Sequence, residues 1–414
     1  MKRDKIVVVG LLVLLLLGIG GYYFYINKTN KSSNGGGSST STSTSQIENT
    51  DWGTYDSNDI TLTKSIEITK EGVYTLTGTI SDGLIYIKTD GKVKLILNGV
   101  SITNSKGPAI YVENADTLEI ETVKNTNNTL VDGKTYSGFE DGVEGTIYSK
   151  DDLVLSGEGT LKVTSNLGDG IVSKDDLKIT GGSITVNSVD DAIKGKDSVE
   201  ITGGVLDITS GGDGIKATND TDADKGFVLI SGGTITINAK TDGIQAETNC
   251  TINGGTFKLT TVDDGIHANG LLEIKSGTFE INSAEGLEAT YVKINGGDIN
   301  INASDDGINA ANKSTAYSVT CEINGGNITI VMGQGDTDAI DSNGNLYING
   351  GTINITAQSP FDYDGEAKYT GGTLIVNGQK TTSITNQFMG GGQMGGHGGG
   401  NPGQNNQGGD RRRR

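Results

Sequence analysis

Apolar and polar residues alternate in short runs along most of the chain, and three such runs recur in a fixed order. One repeat contains the runs IHA (266–268), LEI (272–274) and TFEI (278–281). Alternation with a period of two places one face of each run in a core, so each run predicts a β-strand with one buried face. Gly-Gly and Asp-Gly steps between the runs predict tight turns.

The repeat can be measured from an acidic residue that precedes each Gly- or Ala-aliphatic step. This residue is Asp169, Asp191, Asp213, Asp242, Asp264, Glu285, Asp306 and Asp338 in successive repeats. Five of the seven intervals are 21 or 22 residues, and the two longer ones contain polar inserts at 218–226 and 312–318. The same runs recur without inversion of order, which disfavours hairpins and favours stacking of each run on its next copy. We therefore predict an all-β fold, a right-handed single-stranded parallel β-helix (solenoid) with three strands per coil and roughly a dozen coils.

One column of the predicted fold contains both cysteines. The position two residues before the isoleucine that ends the second run is apolar in all eight repeats, as an inward-facing column requires, and it includes Cys250 and Cys321. The two cysteines are three coils apart, or about 14 Å at about 4.8 Å per coil. A disulfide requires Cα atoms within about 7 Å. The sequence therefore predicts two buried free thiols.

The two ends of the chain differ in composition from the repeats. Residues 6–26 carry no charge, follow three basic residues and are long enough to span a bilayer. We predict a signal-anchor or transmembrane segment at 1–27 that places the rest on the extracellular face of the cell membrane; a cleaved signal peptide and a secreted protein is the alternative. Composition further predicts a Ser/Thr/Gly-rich linker at 28–50, the β-helix domain at 51–388 and a disordered Gly-rich tail ending in four Arg at 389–414.

The charge of the repeat region restricts its partners. Residues 46–410 contain 23 Lys, no Arg and 50 Asp plus Glu, which gives a formal charge of −27. Such a surface repels nucleic acid and anionic lipid. It also repels acidic polysaccharide, unless a cation bridges the two. We expect a monomer that does not bind nucleic acid.

Stacking would place the acidic residues in one column about 4.8 Å apart, where neighbouring charges repel by about 0.9 kcal/mol even in water. The preceding position adds Asp190, Asp263 and Asp305. One interpretation is a ladder in which each carboxylate accepts backbone N–H groups at a turn. The other is Ca²⁺, which takes six to eight oxygen ligands. The candidate calcium ligands form three groups, Asp169/Asp190/Asp191/Asp213, Asp242/Asp263/Asp264 and Glu285/Asp305/Asp306.

The coil pattern DDGI-x-A … I-x-G-G-x-I-x-I, together with LILNGVSITNSKGPAIYV at 95–112, resembles a known family. It is similar to the bacterial carbohydrate-binding β-helix proteins of clostridial cell surfaces, over residues 51–388. The resemblance implies a pectate-lyase-like fold and binding of plant cell-wall polysaccharide such as polygalacturonate or cellulose. It also implies calcium bound by aspartates.

An enzymatic alternative rests on the residues that point outward beside the acidic column. Elimination from a uronate needs a base beside calcium. The Arg that pectate lyases commonly use is absent from the repeats, but Lys194 and Lys216 lie near Asp191 and Asp213 in sequence. We favour lysines that offset carboxylate charge, and hence a non-catalytic binding protein. A structural adhesin or spacer is a second alternative. His267, the only His of the predicted helix, is expected to be solvated.

Overall fold

The computed structural model describes residues 47, 49–335 and 337–386, all within the compact unit Ser43–Arg414. This part of the chain forms one short 3₁₀-helix (Trp52–Thr54) and 37 strands, which we number in chain order. All 37 strands belong to one sheet, so the predicted all-β class is confirmed. The predicted segments 1–27 and 389–414, and all but three residues of the linker at 28–50, lie outside the described residues. No described helix has the length and hydropathy needed to cross a bilayer.

The strands lie in three stacks, and three successive strands, one from each stack, form a coil. Strands of the first stack pair in parallel with their copies in the neighbouring coils. This stack contains β2 (Ile66–Ile68), β4 (Ile85–Lys88), β6 (Ile110–Asn114), β9 (Gly145–Ser149), β12 (Asp169–Ser173), β15 (Ile193–Gly195), β18 (Ile215–Ala217), β21 (Ile244–Ala246), β24 (Ile266–Ile274), β26 (Leu287–Ile294), β28 (Ile308–Ala310), β31 (Asp338–Ser342) and β34 (Ser359–Tyr363).

The second stack follows the first around each coil. Strands β24 and β26 continue without a break into this stack, with a register shift between Ala268 and Leu271. Its other strands are β1 (Ser57–Leu62), β3 (Gly72–Ile80), β5 (Val93–Thr103), β7 (Thr117–Thr122), β10 (Asp152–Gly157), β13 (Asp176–Ile179), β16 (Ser198–Ile201), β19 (Phe227–Ile230), β22 (Cys250–Ile252), β29 (Thr320–Ile323), β32 (Asn345–Ile348) and β35 (Ala367–Tyr369).

The third stack completes each coil. Strands β3 and β5 bend into it from the second stack. Its remaining strands are β8 (Asn127–Val131), β11 (Thr160–Thr164), β14 (Ser183–Asn187), β17 (Val205–Thr209), β20 (Thr234–Asn238), β23 (Thr256–Thr260), β25 (Thr278–Ser283), β27 (Asp298–Ala303), β30 (Asn327–Met332), β33 (Thr352–Thr356), β36 (Thr373–Val376) and β37 (Gln379–Thr381). Among the described strands only β37 pairs antiparallel, with β36.

The core is built from the alternate residues that the strands turn inward. Strand β17 shows the pattern, because Leu206 and Ile208 are buried while Val205 and Asp207 are exposed. The column that contains Cys250 and Cys321 is buried over all eight coils, and both cysteines are free thiols, as the sequence predicts. Burial raises the pKa of each thiol to about 12, so neither cysteine is a nucleophile at neutral pH.

The second glycine of each Gly-Gly step is required by its backbone conformation. Gly204 has a φ of 101°, in the region that side chains with a Cβ rarely adopt. A Cβ at this position would lie 3.1 Å from the carbonyl oxygen of Gly182 in the preceding coil. The repeated Gly-Gly step therefore keeps this corner narrow enough for successive coils to stack.

Candidate functional site

Backbone hydrogen bonds align the eight predicted acidic residues in one column, which we call the acidic column (Asp169, Asp191, Asp213, Asp242, Asp264, Glu285, Asp306 and Asp338). The residue after each acid donates its N–H to the carbonyl oxygen of the acid in the next coil. The N–O distance is 2.9 Å from Gly170 to Asp191 and 2.9 Å from Gly307 to Asp338. In each coil the acidic residue lies where the strand of the first stack begins, so the acidic column runs along the axis on which the coils stack.

The aspartates of the acidic column also bond through their side chains. In five of the seven steps Oδ1 of one Asp accepts the backbone N–H of the acid in the next coil. The acceptors are Asp169 (3.0 Å), Asp191 (2.9 Å), Asp213 (2.9 Å), Asp242 (3.0 Å) and Asp306 (3.1 Å). The turn-ladder interpretation therefore accounts for one oxygen of each of these carboxylates, and it leaves Oδ2 for another partner.

The side-chain ladder is interrupted at Asp264 and Glu285. Neither side chain accepts the next acid's N–H in the described structure. Asp264 Oδ2 instead lies 2.8 Å from Nδ1 of His267, and Glu285 Oε2 accepts a 2.9 Å bond from Nδ2 of Asn309. At this point the column uses its oxygens for side-chain contacts rather than for the backbone.

In each of the three consecutive Asp-Asp pairs, one aspartate is exposed and the other is less accessible. Asp190, Asp263 and Asp305 are exposed, whereas the column residues that follow them are buried or half-buried. The exposed member of each pair therefore faces solvent beside the column. It is the member that a ligand in solution can reach.

Three groups of described residues place carboxylate or imidazole ligand atoms within 4.8 Å of one another. They are Asp169/Asp190/Asp191, Asp242/Asp264/His267 and Asp264/Glu285/Glu288. Of the predicted ligands, Asp213, Asp263, Asp305 and Asp306 lie in none of these groups. His267 and Glu288 join them although we did not propose either as a calcium ligand. Their signal in the sequence was their place in the outward position beside the acidic column.

The outward position of the first stack changes in character along the protein. From β4 to β12 it is aromatic or apolar, in β15 and β18 it is basic, and from β21 to β31 it is polar, acidic or His. From β4 to β31 the residues in chain order are Tyr86, Tyr111, Tyr148, Val172, Lys194, Lys216, Gln245, His267, Glu288, Asn309 and Asp341. The terminal strands β2 and β34 carry Glu67 and Asp362 there. Only part of the acidic column is therefore accompanied by cations from this position.

Lys194 and Lys216 lie between consecutive carboxylates of the acidic column. Lys194 Nζ is 3.2 Å from Asp169 Oδ2 and 3.0 Å from Asp191 Oδ2, and Lys216 Nζ is 2.5 Å from Asp213 Oδ2. Burial by itself would lower the pKa of Lys194, but the charges of Asp169 and Asp191 outweigh it and raise this pKa. Both lysines are therefore counter-ions that remain protonated at neutral pH.

The expectation that His267 is solvated is wrong. Its side chain is only 15% exposed, and Nδ1 lies 2.8 Å from Asp264 Oδ2 and 2.9 Å from Glu288 Oε2. Burial would lower the pKa of His267, but the hydrogen bonds to Asp264 and Glu288 outweigh it and raise this pKa. Lys313 Nζ adds a second cation 2.7 Å from Glu288 Oε1. His267 is thus a counter-ion for two coils of carboxylates.

Several carboxyls of the acidic column are costly to ionise. Burial raises the pKa of Asp169, Glu285 and Asp306 to about 7, and that of Asp242 to about 6. For Asp306 the neighbouring carboxylate of Asp341 adds to the effect, and no Lys or His of the described chain lies within 4.0 Å of either residue. No lysine or histidine of the described residues therefore offsets the charge of Asp306 or Asp341 when these carboxyls ionise.

Two buried amide oxygens lie beside the acidic column without a hydrogen-bond donor. They are Oε1 of Gln245 and Oδ1 of Asn309, whose side chains are 9% and 8% exposed. Asn309 donates its Nδ2 to Glu285 and, at 3.2 Å, to Oε1 of Glu288, which places its oxygen at the edge of that carboxylate group. An unpaired oxygen among carboxylates suits a cation better than it suits another acceptor.

A family model for carbohydrate-binding domain-containing proteins matches residues 63–339 and 260–389. The two matches together span most of the chain, so this protein belongs to that family. The resemblance seen in the sequence is thereby confirmed at the level of carbohydrate-binding proteins.

Two relatives place the family match in context. A carbohydrate-binding domain-containing protein of Acetivibrio thermocellus is 41% identical over 131 residues, which is 30% of this chain and 46% of the relative. The chain thus spans less than half of that relative. A solved structure, described as the polysaccharide lyase-like protein from C. thermocellum in a gadolinium derivative, is 40% identical with a TM-score of 0.50. That match covers 51% of this chain and 87% of the other.

Proposed function

We propose that this protein is a cell-surface, calcium-dependent binding protein for plant cell-wall polysaccharide such as polygalacturonate or cellulose, built on a right-handed parallel β-helix. The three parallel strand stacks support this fold, and family membership supports carbohydrate binding. The observation on which the calcium proposal rests is the group Asp169/Asp190/Asp191, in which two buried carboxylates and one exposed carboxylate converge within 4.8 Å.

The donor atoms of this group suit Ca²⁺. All are carboxylate oxygens, the ligands that hard divalent cations prefer, and turn carbonyls of adjacent coils are close by. The group Asp264/Glu285/Glu288 with the unpaired oxygen of Asn309 is a second, more buried candidate. When bound, the ion would supply a positive charge that an acidic polymer can approach despite the formal charge of −27 on residues 46–410.

Calcium ions held beside the exposed residues Asp190, Asp263 and Asp305 would recur along one edge and engage successive sugars. Each contact would be weak, but several contacts on one chain act together. The lyase alternative requires Lys194 or Lys216 to be neutral, and the ion pairs of both lysines oppose that. The geometry therefore favours binding over elimination.

The substitution Lys194→Met separates the three candidate functions. It removes an ammonium group that competes for Asp169 and Asp191, so a calcium-dependent binder should bind calcium more tightly and still retain polygalacturonate. A lyase should lose the formation of unsaturated uronates, which absorb in the ultraviolet. A spacer should show neither retention nor product before or after the change.

The control for this experiment is Lys162→Met, which replaces an exposed lysine on β11 away from the acidic column. It should leave calcium affinity and polygalacturonate retention unchanged. Because one solved relative is described as a gadolinium derivative, a lanthanide is a suitable probe for the same titration. Weaker calcium binding by Lys194→Met than by the control variant would contradict the proposed site.

We also propose that residues 6–26 anchor the protein, with the described domain on the extracellular side. This segment lies outside the described residues, and the proposal rests on its uncharged length and the preceding basic residues.

A further inference from the structure

The two polar inserts form the walls of one cleft. The insert at 218–226 follows β18 and that at 312–318 follows β28, so both leave the same corner of the coil. The three coils between them turn this corner in few residues or continue straight through it, as β24 and β26 do. Residues from both inserts line a cleft of about 380 Å³. Segments 94 residues apart in the chain are thereby brought to one site.

Both walls are held in place by buried polar residues. Nδ2 of Asn219 donates to Asp197 Oδ1 at 2.6 Å, while its Oδ1 accepts the N–H groups of Thr221 and Asp222. Oγ1 of Thr290, which is fully buried, accepts the N–H groups of Lys313 and Ser314 at 2.9 and 2.8 Å. Walls that are ordered before binding reduce the entropy lost when a ligand binds.

The floor of the cleft carries hydrogen-bonding groups in a fixed arrangement. Nδ2 of Asn269 donates to Glu247 Oε2 at 2.8 Å, and Oδ1 of Asn269 lies 3.1 Å from Nε2 of His267. Asn249 accepts a 2.9 Å bond from the N–H of Leu271 through its Oδ1, and its Nδ2 has no partner in the described structure. The floor therefore offers both acceptors and a donor to a ligand.

Tyr317 supplies an aromatic surface at one side of the cleft. Its ring lies against Gly270, where an added Cβ would be 3.1 Å from Cε2 of the ring. The ring of Tyr291 packs edge-on at a centroid distance of 6.2 Å, and the hydroxyl of Tyr291 donates to Glu322. Tyr317 is half-buried, so its orientation is restricted while part of it remains accessible.

We infer that this cleft binds a neutral sugar unit, at a site separate from the acidic column and without calcium. Sugar hydroxyls both donate and accept hydrogen bonds, which matches a lining that contains the carboxylates of Asp222 and Glu247 and the amide of Asn249. The apolar face of a pyranose ring can pack on Tyr317. Among the described residues that line the cleft the one cation is Lys313, which is already paired with Glu288, so a uronate would meet mostly negative charge.

The test is calorimetric titration of the folded protein in EDTA with cellobiose, galactobiose and digalacturonate. At least one neutral disaccharide should bind, and digalacturonate should bind at least about tenfold more weakly. Tyr317→Ala should weaken the neutral ligand by about tenfold or more. The control Tyr347→Ala, at a half-buried tyrosine of β32 away from the cleft, should leave affinity unchanged.

A second variant keeps the test valid if Tyr317→Ala does not fold. Asp222→Asn keeps the oxygen that accepts the N–H of Asp224 but removes a charge, so it should weaken the neutral sugar and reduce discrimination against digalacturonate. The inference is overturned if no neutral disaccharide binds, if Tyr317→Ala binds like the wild type, or if EDTA removes binding from a protein that circular dichroism shows to be folded. Calcium-dependent retention of polygalacturonate is measured separately. The proposed function and the neutral-sugar site are therefore tested independently of each other.

Discussion

The substitution Asp169→Asn tests how much the ionisation of a buried carboxyl in the acidic column destabilises the folded protein. Asn keeps the oxygen that accepts the N–H of Asp191 at 3.0 Å, and it removes a carboxylate that is 1% exposed. Burial raises the pKa of Asp169 from 3.8 to about 7 in the folded protein, and it outweighs the charge of Lys194, which lowers this pKa. The folded state therefore holds a proton that the unfolded state has released, and the stability this contributes is lost as pH rises toward 7.

The size of the effect follows from that difference. Between pH 5 and pH 7 the folded carboxyl is protonated and the unfolded one is not, which costs about 1.4 kcal/mol per pH unit, or about 3 kcal/mol in total. The entropy of unfolding, about 2.1 cal/mol/K per residue, converts this to about 4 °C for a domain of this size. In EDTA, Asp169→Asn should therefore raise the melting temperature at pH 8, relative to wild type, by about 4 °C more than it does at pH 5.

Differential scanning calorimetry at the two pH values measures this difference directly. Asp207→Asn, at an exposed position of β17, is the matched control and should shift neither melting temperature. Added calcium should stabilise the wild type and have less effect on Asp169→Asn, because the variant lacks one proposed ligand. If the melting temperature of the variant relative to wild type is no higher at pH 8 than at pH 5, the reasoning about buried charge is refuted.

Two further predictions concern the fold and the N-terminus. Gly204→Ala should destabilise the protein by about 1 kcal/mol or more, visible in chemical denaturation, because alanine must adopt a φ of 101° next to the Gly182 carbonyl; an unchanged midpoint would show that the corner is more adaptable than the structure indicates. N-terminal sequencing of the protein from its native membrane should give the intact start of the chain, whereas a mature protein that begins near residue 27 would show cleavage.

The strand pattern was predictable because each coil repeats the same local requirement. Alternating residues such as Leu206 and Ile208 must face inward, and the period of 22 residues fixes which copy lies above which. The inward position of Cys250 followed from the same rule. Backbone geometry of this kind depends on residue type and spacing, and both are visible in a sequence.

The pairing of side chains in the site was less predictable. Sequence spacing placed Asp263 beside Asp264, but it could not show that one faces solvent while the other turns toward His267. The position of Glu288 one coil from His267 was visible, yet its role as a shared partner depends on side-chain orientation and burial. The cleft between the inserts depends on how two irregular loops fold, and no periodic pattern encodes that.

Retention of polygalacturonate by the purified protein, measured with calcium and again after chelation, tests the central claim most directly. The same samples should be followed by circular dichroism to show that the protein stays folded. We predict retention in calcium, loss of retention in EDTA and recovery when calcium is restored, with weaker retention by Asp190→Asn. Folded, calcium-free protein that retains polygalacturonate at full strength would contradict the account and leave the acidic column as turn chemistry alone.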